Sequence, residues 1–253
     1  MLTLLSPAKK LNEENQIVDN CTLPIFVDDS EKLIHRLRKY SPKKLSKLMS
    51  ISPALADLNV ERYVKWTTSH TNNVNPAVLT FNGEVYAGLA ANSFSDLDIN
   101  YAQNNLRILS GLYAILKPYD LIHLHRLEMG TKLKIGRNKN LYEFWGDKIV
   151  NEINEIVSNQ KESVLVNLAS NEYFKSVNQK KLIATVISPT FKDFKNGEYK
   201  SIMVYAKKAR GMMASYIIKN RIEKVDDLSG FDTGGYCFNA EASTEKELVF
   251  YRG

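Results

Sequence analysis

Strands and helices interleave along the whole 253-residue chain, and this predicts a mixed α/β (α+β) protein, a mixed sheet surrounded by helices in one compact domain. Three observations carry the prediction. Short apolar runs rich in β-branched residues stand at Leu2–Leu5, Val164–Leu168, Ile183–Ile187, Tyr199–Tyr205 and Leu248–Tyr251. Segments of helical period lie between them. No repeat, low-complexity tract or linker divides the chain, and 12 Gly with 7 Pro leave no room for a long disordered one, so a single domain over 1–253 is expected.

Taken in order, Leu2 to Leu5 read as a short buried strand stopped by Ser6 and Pro7. From Ser30 to about Tyr40 the spacing predicts a basic helix with Ser30 as N-cap and Leu33 and Leu37 on one face. Ser41 and Pro42 restart a helix over Lys43 to about Met49, and the break at Ser52 and Pro53 opens a third. The helical segment from Ser30 to Trp66 is expected as an appendage on the α/β body. Val78 to Phe81, the pair Asn82–Gly83, then Val85 and Tyr86 predict a hairpin. Ala102, Leu106, Leu109, Tyr113 and Leu116 recur at spacings of four and three and predict the clearest helix, ended by Pro118. A further helix is expected from Leu141 to about Ser158. Finally, the strand Tyr199–Tyr205 is expected to hand over to a helix at about Ala209, where Met212, Met213, Tyr216 and Ile217 take up helical spacing.

Composition bounds the function. There are 34 Lys plus Arg against 28 Asp plus Glu, a formal charge of +6, and a pI near 9.1 makes an acidic partner plausible without proving one. Cys21 and Cys237 are far apart, with no C-x-x-C spacing, so neither a zinc site nor a disulfide framework is indicated, and a reducing compartment is expected. The five-residue apolar start is too short for a signal peptide and no run approaches a membrane span, so a cytoplasmic protein that does not meet membranes is expected.

The charge is uneven. Between Tyr199 and Arg221 stand Lys200, Lys207, Lys208, Arg210, Lys219 and Arg221 without one acid, and from Lys32 to Ala56 seven Lys or Arg, Lys43, Lys44 and Lys47 among them, again without one. With Lys207, Lys208 and Arg210 at the start of a helix, each cation there is disfavoured by about 0.3–1 kcal/mol unless an anion offsets it. A bound phosphate does so; charges pointing into water are the bland alternative. The segments SPAKK (Ser6–Lys10), LSGLYAILKPYDL (Leu109–Leu121), RLEMG (Arg126–Gly130), VNLASNEYFKSV (Val166–Val177) and YAKKARGMM (Tyr205–Met213) each follow or end a regular element, where ligands of α/β proteins bind. They define a joint site of Lys9, Arg126, Asn167, Lys175, Lys207 and Arg210, with ordinary loops and surface ion pairs as the alternative. Glu128 beside Arg126 and Lys9 reads as a structural salt bridge before an acid–base centre. Ser170 reads equally as a helix cap. Tyr173 and Tyr205 are candidates for exposed stacking. His123 and His125 lack a third ligand at reliable spacing, so no metal and no cofactor is expected. There is no G-x-S-x-G, Walker loop or G-x-G-x-x-G, and hence no recognisable catalytic motif.

Together with FNGEVYAGL (Phe81–Leu89), LYEFWGD (Leu141–Asp147) and the closing ELVFYR, these segments, in this order over essentially the full length, resemble the YaaA family of bacterial peroxide-stress proteins. The resemblance implies a compact α/β body with a helix-hairpin-helix element beside a positive cleft, binding to double-stranded DNA, and a part in limiting damage where hydrogen peroxide meets unincorporated ferrous iron. The helix-hairpin-helix falls on Ser41 to about Trp66, with Ser52 and Pro53 where glycines commonly let backbone N–H groups reach a phosphate. The cleft falls on Lys9, Lys10, Lys175, Lys207, Lys208 and Arg210. A rival reading places an enzyme acting on a small phosphorylated or nucleotide-like ligand in the same pocket, on the strength of its polar variety.

Overall fold

In the computed structural model, which describes residues 1–14, 18, 21–69 and 74–253, strand β1 (Leu2–Leu5) is buried at all four positions. A nearly continuous apolar run, broken only by the buried Thr3, is what a strand with neighbours on both edges and cover on both faces requires. Its leucines at 2, 4 and 5 are fully enclosed, each contributing roughly 1.5–3 kcal/mol of burial. The chain continues through β2 (Lys10–Leu11), α1 (Val27–Leu37), α2 (Pro42–Met49), α3 (Pro53–Lys65), β3 (Val74–Pro76), α4 (Ala77–Thr80), β4 (Phe81–Asn82), α5 (Glu84–Leu89) and α6 (Asp96–Asn105). Then come β5 (Leu106–Ser110), β6 (Ala114–Leu116), β7 (Leu121–His123), α7 (Leu141–Trp145), α8 (Lys148–Ser158), β8 (Val164–Asn167) and α9 (Asn171–Phe174). β9 (Thr185–Lys195), β10 (Glu198–Lys200), α10 (Met203–Asn220), β11 (Cys237–Phe238) and β12 (Glu247–Arg252) complete it.

The main sheet runs β11-β12-β9-β8-β1-β5-β6, with β10 folded back on β9. Five strands, β12 through β5, are mutually parallel, and β6 and β11 close the two ends antiparallel. β1 sits in the middle: the chain leaves it for β5 on one side and later returns to β8 on the other. The carboxyl ends of β1, β5 and β8 therefore border a switch in strand order, the place where open parallel sheets bind ligands. Two small antiparallel pairs, β2 with β4 and β3 with β7, lie outside this sheet.

The three N-terminal helices are seated on the body by Leu33, Ile34, Leu37, Leu45, Tyr63 and Trp66, all buried. The Trp66 indole N–H donates to the Tyr113 hydroxyl at 2.8 Å. α2 and α3 start at Pro42 and Pro53, as the Ser-Pro pairs predict; the Ser52 hydroxyl accepts from the Leu55 N–H. Ser30, by contrast, is not an N-cap. It lies inside α1, buried, and its hydroxyl bonds the carbonyls of Phe26 and Leu112.

Four further expectations are corrected. The helix read from Ala102 to Leu116 ends at Asn105, and Leu106–Ser110 is a core strand. This strand is buried on both faces, Arg107 and Ser110 included, so leucines at 106 and 109 satisfy helical spacing by accident. The hairpin read at Val78–Tyr86 is instead a short helix, a two-residue strand and α5; Phe81 and Asn82 pair with Lys10 and Leu11, and Gly83 is extended rather than in a turn. The strand expected at Tyr199–Tyr205 stops at Lys200, and α10 already starts at Met203. Lys207, Lys208 and Arg210 therefore stand in its second and third turns, beyond the first-turn N–H groups invoked above. Ile202 keeps its extended conformation as the N-cap of α10, and tertiary packing outweighs only the β preference of Val204. The helix read over 141–158 is interrupted at Gly146, which separates α7 from α8.

Candidate functional site

A cavity of about 790 Å³ opens at the carboxyl ends of β1, β5 and β8. Its walls are the loop after β1 (Ser6–Lys10), the start of α5 (Glu84–Tyr86), Ser110, the stretch His125–Glu128, the start of α9 (Ser170–Tyr173) and one face of α10. On α10 that face is Met203, Ala206, Lys207 and Arg210, a spacing of three, four and seven that puts them on one stripe. Lys208, next to Lys207, faces elsewhere for the same geometric reason.

Two backbone approaches place these walls. A Cβ on Gly211 would stand 1.8 Å from the Val85 carbonyl oxygen, and one on Gly88 would stand 2.1 Å from the Lys208 carbonyl oxygen. Helices α5 and α10 thus cross backbone to backbone, which aims Lys207 and Arg210 at the same space as Glu84 and Tyr86. Gly111 does likewise for the Arg126–Glu128 wall, where a Cβ would come 2.2 Å from the Leu127 carbonyl oxygen.

Hydrogen bonds tie the rim segments to one another. The Ser170 N–H donates to the Ser6 hydroxyl at 2.8 Å, joining the loops after β8 and β1, and the Tyr86 hydroxyl donates to the Ser6 carbonyl at 3.0 Å. Gly130 N–H donates to Glu172 Oε1 at 3.0 Å. Glu128 accepts from Arg126 at 2.8 Å and pairs with Lys9 at 3.4 Å, the structural ion pair expected from the sequence. From outside, the Tyr63 hydroxyl of α3 donates to the Arg126 carbonyl, so the helical pair α2–α3 abuts this rim.

The charges do not cancel. Five cations line the cavity, Lys9, Lys10, Arg126, Lys207 and Arg210, against three carboxylates, Glu84, Glu128 and Glu172, and Glu128 and Glu172 are already engaged. Arg210 has no acceptor, carboxylate or ring partner among the described residues, and burial alone pushes its guanidinium below the ordinary arginine range. His125 is wholly buried with its Nδ1 on the His123 carbonyl; burial pushes it down to about 4, so it is neutral. Among the described residues no three His, Cys, Asp or Glu converge to hold a metal ion. Tyr173 is buried rather than exposed, and burial, with the Glu172 charge beside it, raises its phenol well above the ordinary range. Tyr205 is 46% exposed, with the Arg252 guanidinium 4.8 Å over its ring.

Of the site residues named from the sequence, the cavity gathers Lys9, Lys10, Arg126, Lys207 and Arg210. Asn167 lies at the end of β8 and accepts from the Ala169 N–H, holding the turn without facing the cavity. Lys175 borders a separate shallow groove with Asp147 and Lys180, and Lys43, Lys44 and Lys47 are exposed on α2. Residue-by-residue reasoning missed Tyr86, Glu84 and Ser110. The first two lay in a segment read as a hairpin, although FNGEVYAGL had already marked it.

Comparison with known proteins identifies the family. The family described as peroxide stress protein YaaA matches residues 1–242. UPF0246 proteins of Aliivibrio fischeri strain MJ11 and of Tolumonas auensis are each 51% identical to this chain over its whole length and 98% of their own; one of Marinomonas sp. strain MWYL1 is 51% identical over the whole chain and 97% of its own. No helix among the described residues is long and apolar enough to cross a membrane. With the family pattern and the full-length relatives in agreement, the chain belongs to the YaaA family of peroxide stress proteins.

Proposed function

We propose that this protein acts in the cytoplasm during peroxide stress by binding double-stranded DNA through the phosphate backbone, and that covering the duplex limits iron-mediated damage. The observation that carries the reading is Arg210, a largely buried cation without an anionic partner among the described residues, in a cavity where cations outnumber carboxylates. Lys10, Lys207 and Arg210 supply the central phosphate contacts. Lys9 and Arg126 flank them, while Lys208, Lys175 and the α2 lysines Lys43, Lys44 and Lys47 extend the basic surface. The α2–α3 pair serves as the helix-hairpin-helix. Its connection carries Ser50 in the left-handed region and Ser52 as a cap, and Pro53 lacks an N–H, so the lysine side chains rather than hairpin amides make its contacts.

The link to iron follows from counterion physics. Duplex DNA holds a condensed cation atmosphere, and each Lys or Arg that neutralises a phosphate releases ions from it. Ferrous iron is among the cations so displaced, which moves peroxide reduction away from the sugar and bases. The test is the variant Lys207→Glu, Lys208→Glu, Arg210→Glu. It should bind all duplex sequences more weakly by a similar factor and no longer protect plasmid DNA from nicking by ferrous iron and peroxide. Wild-type affinity in that variant would place the DNA surface elsewhere.

A further inference from the structure

The cavity is more than backbone binding needs. A duplex is too wide to enter it, and one lying across its mouth needs only the cations at the rim and the exposed lysines of α2 for its phosphates. Yet this space is about 790 Å³, within the roughly 300–1,000 Å³ of pockets that enclose whole small ligands. Nor is it uniformly basic. Phe81, Tyr86, Leu168 and Ala206 supply apolar wall, hydroxyls come from Ser6 and Ser170, and Arg210 and Lys207 share one stripe of α10, apart from Lys9, Lys10 and Arg126 on other walls. A flat apolar body joined to an anionic group, with polar edges to be hydrogen-bonded, matches such a lining.

We propose that the cavity binds a single nucleotide unit, with its phosphate on Arg210 and Lys207 and its base against the Phe81–Tyr86 wall. The inference rests on the DNA reading for one of two sources of that unit, a nucleotide turned out of the duplex stack; the other is a free nucleoside monophosphate. For the first source, extrusion requires unpairing and unstacking, so mismatched sites enter more readily than paired ones. Tyr86 is suited to the wall because its hydroxyl is already held by the Ser6 carbonyl and its ring packs 5.4 Å from that of Phe81. Arg210 is suited to the phosphate because its charge is otherwise uncompensated.

The experiment has two arms on the intact protein. In one, 2-aminopurine placed in a short duplex, paired or mismatched, reports unstacking by its fluorescence. In the other, the four deoxynucleoside 5′-monophosphates are titrated by calorimetry. Three proteins are compared: wild type, Arg210→Met, and Ala8→Phe, which narrows the cavity from its β1 loop without touching a cation. Thermal melts confirm that each is folded. Expected for an extruded nucleotide is a several-fold rise in 2-aminopurine fluorescence, larger at the mismatch, lost in Ala8→Phe while its overall salt-dependent DNA affinity stays within about twofold of wild type. Binding of a free monophosphate that Ala8→Phe and Arg210→Met abolish, with no DNA binding at all, would support the cavity inference while rejecting the DNA reading. Salt-dependent duplex binding with no fluorescence change and no monophosphate binding at millimolar concentration overturns the nucleotide inference and leaves the DNA reading standing. If wild type binds neither duplex nor monophosphate, both fail.

Discussion

Replacing Arg210 by methionine should make the protein more stable and bind DNA less well. The guanidinium is largely out of water, and no carboxylate among the described residues offsets its charge. Desolvating a charged donor without a partner costs on the order of several kcal/mol when burial is complete. Arg210 keeps some of its surface in solvent, so about 1 kcal/mol is expected back when methionine of similar length fills the same stripe of α10. For a chain of this size that corresponds to a rise in Tm of about 2–4 °C. Because the guanidinium stays protonated throughout the neutral range, the gain should not vary with pH there. The same substitution removes a charge-assisted phosphate contact, worth about 1.5 kcal/mol or roughly tenfold in affinity. Scanning calorimetry of the free protein and fluorescence anisotropy with a labelled duplex measure the two sides. A drop in Tm, with DNA affinity unchanged, would refute the reasoning, for it would mean that Arg210 is a structural residue satisfied within the fold.

The other predictions concern packing and protons. Gly211→Ala should destabilise by more than about 3 kcal/mol in a urea titration, since its Cβ has 1.8 Å to the Val85 carbonyl oxygen and 2.7 Å to the Leu89 nitrogen, both backbone atoms; a loss under 1 kcal/mol would mean the α5–α10 crossing is looser than described. Asp120, pushed up to about 6 by burial, and His125, pushed down to about 4 by burial, oppose each other between those pH values. Folded Asp120 keeps a proton that the unfolded carboxyl loses near 3.8, so its contribution is full below that pH and is lost as pH rises through about 6. Neutral His125 refuses a proton that the unfolded imidazole takes near 6.5, so its contribution is full above that pH and is lost as pH falls toward 4. Asp120→Asn should therefore uncover a loss of about 2–4 kcal/mol on acidification from 6.5 to 4, and His125→Gln should give the opposite slope. Matching pH profiles for the two variants would contradict both assignments.

Much of this architecture is legible in the sequence. β1, β8 and β12 were found because parallel core strands are short apolar runs, and α2 and α3 because a Ser-Pro pair fixes both cap and first helical residue. β5 was not, since a strand buried on both faces carries no alternation and its leucines happened to continue the period of α6. The start of α10 is hidden because Ile202 is still extended, as its N-cap, and the β preference of Val204 yields to the close seat of α10 against α5. For the candidate site the lesson is similar. Lys9, Arg126, Lys207 and Arg210 come together because they follow strand ends or share one helical stripe. Lys208 and Asn167 were indistinguishable from them by composition and differ only in the face they occupy. Tyr86 and the roles of Gly88 and Gly211 depend on two helices meeting, a fact no local pattern encodes.

The most direct test of the account is the salt dependence of duplex binding. With about four to six phosphates neutralised, the logarithm of affinity should fall against the logarithm of salt with a slope of roughly −3.5 to −5.5, and each phosphate-binding cation removed should shallow it by about 0.9. A flat line between low and moderate salt, or a slope untouched by removing Lys207 and Arg210, would contradict the claim that these cations hold a polyanion.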